Sequence, residues 1–121
     1  MKEVTIYEDF YVEVNDKRTK VIIDNISIYI KNTFVEAIAN RVSADKPLIA
    51  IILALIEYAR YSTSRRNYRE IEDDSVIESL SIILQKYQEE DVIWRFKELK
   101  YSDIFRICES ENPIEIFEED C

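Results

Sequence analysis

The chain has 121 residues, 47% of them hydrophobic and 34% charged, with 25 acids against 16 bases and a net charge of −9. One folded domain over residues 1–121 is expected, and a disordered tail is excluded, because a chain of this size and apolar content can close a proper core. The longest apolar run, Leu48 to Ile56, is nine residues, whereas a spanning helix needs about 18, so no membrane segment is expected.

In chain order, residues 4–14 alternate as a strand does. Val4, Ile6, Phe10, Val12 and Val14 share one face, and Thr5, Tyr7, Asp9, Tyr11 and Glu13 the other, with Glu8 the exception. A turn at Asn15-Asp16-Lys17 leads to a β-rich run from Thr19 to Ile30 whose phase changes at Asp24-Asn25. Either a tight turn between two strands or a bulge in one long strand explains that change. Thr33 and Glu36 read as a capping box for a short helix to about Val42. Ser43 or Asp45 then caps a second helix to about Tyr61, with Pro47 in its first turn. That helix is apolar on nearly every side through Ile56, which predicts the buried centre of the domain. Residues 62–73 form the most polar connection. Ser75 and Glu78 read as another capping box, for a helix to about Gln88 with Val76, Leu80, Ile83, Leu84 and Tyr87 inward. Glu89-Glu90-Asp91 favours a further helix start, with Val92, Trp94, Phe96 and Leu99 supplying apolar surface. Trp94 and Phe96 are expected to fill the core. Ser102-Asp103 opens a last helix that Pro113 stops, and Ile114 to Phe117 suits a short closing strand.

The predicted class is α+β: an N-terminal antiparallel hairpin or three-stranded meander over about residues 4–31, then four to five helices over about 33–109, then an acidic segment 109–121. The opening Met1-Lys2-Glu3-Val4-Thr5 has no apolar signal core, so the default location is the cytoplasm, a host's if the chain is viral. Cys108 and Cys121 are read as reduced, with Cys121 able to cross-link two chains on oxidation; a homo-oligomer stays open. Abundant Ile and Glu, scarce Cys, Met and Gln, and Lys and Arg equal at eight each lean toward a thermophilic cellular or viral source.

The chain has no glycine and no histidine. Phosphate-cradling loops need positions without a Cβ, and histidine is the commonest general base and metal ligand. Nucleotide hydrolases, dinucleotide enzymes, histidine-based hydrolases and His-ligated zinc enzymes have almost no room here. A non-enzyme with no cofactor and no metal is expected. Glu70, Glu72, Asp73 and Asp74 are the densest carboxylate cluster but lack the spacing and glycine of a calcium loop. Glu98-Leu99-Lys100 matches a minimal nuclease triplet, yet it falls in predicted helix.

Two segments are candidate contact surfaces. Tyr58 to Arg69 carries Arg60, Arg65, Arg66 and Arg69 with interleaved tyrosines, Tyr68 among them, and no acid, a composition that holds phosphates and stacks bases. It equally suits a helix end whose cations complement the dipole. The second is the C-terminal stretch. Residues 1–60 carry nine acids and eight bases, whereas residues 61–121 carry sixteen and eight, and Glu109 to Cys121 holds six acids and no base. Glu109, Glu111, Glu115, Glu118, Glu119 and Asp120, with Ile116 and Phe117 between them, suit a surface that meets a basic, nucleic-acid-handling protein. The competing reading is a solubilising tail. An acidic interaction protein, in one form a viral inhibitor of host defence or replication machinery, and a nucleic-acid-binding module on Arg60 to Arg69 are therefore the two leading expectations.

Overall fold

Alternating side chains in the N-terminal quarter build the first layer. The structure, a computed structural model, describes the backbone of residues 2–7 and the whole of residues 10–62 and 71–119. Strands β1 (Lys2–Tyr7), β2 (Phe10–Val14), β3 (Arg18–Ile23) and β4 (Ile26–Lys31) form an antiparallel meander in sequence order. The α+β class holds, but among the described residues the meander has four strands where two or three were expected. The run 4–14 is a hairpin, with Val4 opposite Val12, Thr5 opposite Tyr11, and a register shift before Tyr7 meets Phe10. Both arms keep the same alternation, so a reversal between them leaves no mark in a period-two pattern.

The phase change at residues 24–25 is a turn. Ile23 faces Ile26 directly, and Asp24 and Asn25 take φ of 49° and 65°, as the two central residues of a type I′ turn must. Register then sorts the faces. Phe10–Ile23–Ile26, Val12–Val21–Ile28 and Val14–Thr19–Ile30 form rows on the helix side. Tyr11–Ile22–Ser27, Glu13–Lys20–Tyr29 and the Arg18–Lys31 pair lie on the other.

Among the described residues six helices follow where four to five were expected: α1 (Asn32–Ala39), α2 (Lys46–Ser62), α3 (Asp73–Lys86), α4 (Glu89–Glu98), α5 (Tyr101–Glu109) and α6 (Pro113–Phe117). Helix α2 packs on β2, β3 and β4 and is flanked by α1, α4 and α5. Contact on all sides explains why every residue from Leu48 to Ile56 is buried, as its unbroken apolar sequence predicts. Ile49, Ile51, Ile52, Leu53 and Ile56 are at most 1% exposed, each contributing about 1.5–3 kcal/mol of burial. Among the described residues no helix is long and apolar enough to cross a membrane.

Three boundaries differ from expectation. Neither capping box forms: α1 starts at Asn32 after Lys31, and α3 at Asp73 after Glu72, without side-chain cap bonds. At α3 the carboxylates of Asp73 and Asp74 in the first turn complement the dipole instead. Ile114 to Phe117 is helix α6, not a strand. Pro113 occupies its first turn, where a missing N–H is harmless, so the proline opens α6 rather than stopping α5.

Candidate functional site

Helix α6 folds the acidic stretch back onto the body. Phe117 is buried at 5% exposure, its ring centroid 4.8 Å from that of Tyr87 and 6.3 Å from that of Phe96. Arg95 of α4 donates from Nε to the Phe117 carbonyl at 2.9 Å and from its fork to the Glu119 carbonyl. Lys86 at the end of α3 pairs with Glu118 at 2.7 Å. Arg106 of α5 reaches Asp103 at 3.1 Å and Glu119 at 3.4 Å. Hydrogen bonds from Lys86, and then Tyr87, hold the Glu118 carboxyl below its ordinary 4.5, and the same Lys86–Glu118 bond raises the ammonium above 10.5. Three cations on three helices thus anchor a segment that itself has none.

The anchoring sorts the sequence candidates. Phe117 is spent on the core, and Ile116 is half-buried against it. Glu118 and Glu119 are matched within the chain. Glu111 and Glu115 are exposed, and among the described residues no cation pairs with either. Asp120 lies outside the described residues. A hollow of about 500 Å³ runs beside α6, with Ile82, Pro113 and Ile114 in its lining and Glu111, Glu115, Glu118 and Glu119 around them. A smaller hollow of about 220 Å³ shares Ile82 and Glu111 and adds Glu78 and Glu109. The two adjoin at Ile82 and Glu111 as one groove, which runs between α3 and α6 and on between α3 and the end of α5, and six carboxylates line it and no base does.

Glu78 and Ile82 of α3 belong to this groove and were not among the sequence candidates. Their signal is an i, i+4 pair displaced from the buried stripe of Val76, Leu80 and Ile83. The join to α6 is tertiary and leaves no trace in local sequence.

The arginine segment is only partly described. Arg65, Arg66, Tyr68 and Arg69 lie outside the described residues. Arg60 turns inward with its side chain 10% exposed, pairs with Glu57, and donates to the Ile71 carbonyl at 2.7 Å. It ties the end of α2 to the approach to α3. Tyr61 beside it is 77% exposed.

Of the remaining candidates, Phe96 fills the core as expected, but Trp94 is 51% exposed with the Lys97 ammonium 4.6 Å from its ring. One turn of α4 cannot bury both faces, and Phe96 has the inward one. Glu98 and Lys100 flank the buried Leu99 at the end of α4 and point to solvent. Glu70 is outside the described residues, while Glu72, Asp73 and Asp74 form the start of α3. Among the described residues no group of three metal-ligating side chains converges. Burial pushes the Cys108 thiol up to about 12. No protein-family model, curated protein or solved structure matches the chain.

Proposed function

We propose that the protein is a small, non-enzymatic interaction protein whose α3–α6 groove docks on a basic protein, one that itself handles nucleic acid. The observation that carries this reading is the groove: six carboxylates around the apolar Ile82 and Ile114, with Glu111 and Glu115 held by no cation among the described residues. Carboxylates in such an array stand where phosphates would stand for a basic partner. Charge speeds encounter and sets its salt dependence, and the apolar floor supplies contact that excludes water. The cytoplasm is the setting this reading carries, and an inhibitor encoded by a virus is the form that small size and acidity suit.

The test is the association rate with a lysine- and arginine-rich amphipathic peptide, and with any basic partner that co-purifies, measured against ionic strength. Changing both Glu111 and Glu115 to lysine should slow association about tenfold at low salt and flatten the salt slope. Equal rates and equal slopes for the two proteins would remove the groove from the function.

A further inference from the structure

The opposite side of the molecule carries the opposite charge. Among the described residues α2 and α1 contact the sheet, and the buried rows show that they do so from one side. On the outer side Arg18, Ser27, Tyr29 and Lys31 are exposed, and Lys20 and Ile22 are half-exposed. Arg18 faces Lys31 in register, Lys20 faces Tyr29, and the Arg18 guanidinium sits 4.4 Å from the centre of the Tyr29 ring. Lys17, in the adjoining turn, adds a fourth cation; among the residues whose side chains are described, the nearby acids are Glu13 and Asp16.

Charge is segregated between the layers. The described residues of the sheet layer, 2–7 and 10–31, hold five bases and four acids, whereas the described residues from 32 onward hold eight bases and seventeen acids. In a chain of net charge −9, cations gathered on a sheet face that no described helix covers therefore mark a surface complementary to a polyanion.

The corner that carries the cations is braced. The Asn15 carboxamide oxygen accepts the amides of Lys17 at 3.3 Å and Arg18 at 3.2 Å. Asn32 donates its side-chain amide to the Asn15 carbonyl at 2.7 Å and its backbone amide to the Lys17 carbonyl at 3.1 Å. The buried Thr19 hydroxyl donates to the Asn32 side chain at 2.8 Å. The cations thus project from a fixed platform and lose little backbone freedom on binding.

We propose that the outer face of β3–β4 binds single-stranded nucleic acid, with Lys17, Arg18, Lys20 and Lys31 at phosphates and Tyr29 as a stacking surface for a base. An exposed aromatic ring set among cations favours this occupant over an acidic protein. Every unpaired base has a π-face to stack, and an arginine over the ring extends the platform. A duplex keeps its bases stacked inside and has no use for Tyr29. This face lies apart from the α3–α6 groove, so the two readings stand or fall separately.

The experiment is fluorescence anisotropy of labelled single-stranded DNA and RNA, about 12 nucleotides long, against the full chain. Saturable binding at 50 mM salt is expected, with a log–log salt slope of about −2 to −3 for three to four phosphates. Reversing Arg18 and Lys20 to glutamate should abolish it. Tyr29→Ala should weaken it at least about fivefold, and Tyr29→Phe should retain it. The E111K/E115K protein should still bind. Should the double reversal fail to fold, K20A/K31A carries the same comparison more gently. Absence of binding at 50 mM salt, binding indifferent to loss of Arg18 and Lys20, or a Tyr29→Ala protein of unchanged affinity would each overturn the proposal. So would sedimentation showing that the same cations instead hold a second copy of the chain.

Discussion

Asp24 and Asn25 show how a chain without glycine makes a tight hairpin. Among the described residues they are the two with positive φ, and Asp and Asn are the side chains that bear this conformation at least cost after glycine. Replacing the pair by Asn-Gly supplies the preferred type I′ sequence and should raise stability by about 0.5–1 kcal/mol, read as a higher melting temperature. A lower one would mean that Asp24 or Asn25 makes a contact worth more than the relieved strain. Cys108 gives a second test at this scale. Its thiol, at 1% exposure, is pushed from 9.0 to about 12, chiefly by desolvation. A raised acid contributes stability that is complete below its ordinary value and lost as pH rises through the folded one. In a C121S protein at pH 8, Cys108 should therefore resist thiol reagents until denaturant is added. Rapid labelling of the native protein would show that α3 and α5 separate readily.

At the scale of elements, local sequence decides the structure where one apolar face is enough, and does not where a distant partner is needed. The apolar sequence of α2 fixes its central place, and the stripe of α3 fixes its inner side. The segment Ile114 to Phe117 alternates as a strand would, yet it is helical. Phe117 finds Tyr87 and Phe96, and Arg95 takes the carbonyls beyond the helix end. None of those partners is local. Cutting Phe117 to alanine should cost about 3–5 kcal/mol; a loss under about 1 kcal/mol would show α6 to be a loosely held appendage. The Lys86–Glu118 bond should be weaker, because both groups are exposed. Its pH window follows from the two shifts. The depressed Glu118 contributes fully above 4.5 and loses its contribution as pH falls through its folded value; the raised Lys86 contributes fully below 10.5 and loses it above. The melting-temperature gap between the wild type and Glu118→Gln should thus be constant from mild acid to mild alkali and close below pH 4.5. A gap that persists in strong acid would assign the effect to packing against Tyr87.

Across the whole molecule the helices gather carboxylates, while the sheet stays near neutral and carries its cations mostly on β3, β4 and the turn before them. The sequence shows the acid excess, but its first sixty residues average out at −1 and hide the basic patch. Alternation in β3 and β4 separates Arg18, Lys20 and Lys31 from the buried side chains only once the register is known. The helical layer, with seventeen acids against eight bases among the described residues, repels itself. Lys86, Arg95 and Arg106 are already committed to α6 and the residues after it, so Glu111 and Glu115 add to the repulsion without a matching cation among the described residues. A feature that costs stability is best explained by a use elsewhere, and the groove offers one. Reversing Glu111 and Glu115 to lysine takes the net charge from −9 to −5, since each reversal adds two. At low ionic strength this protein should melt about 2 °C higher than the wild type, and the difference should vanish near 1 M salt, where screening reaches about 3 Å. The same protein should associate more slowly with a basic partner, which ties the stability gain to the functional loss. If it melts lower than the wild type in dilute buffer, the two carboxylates brace the fold and the groove is structural.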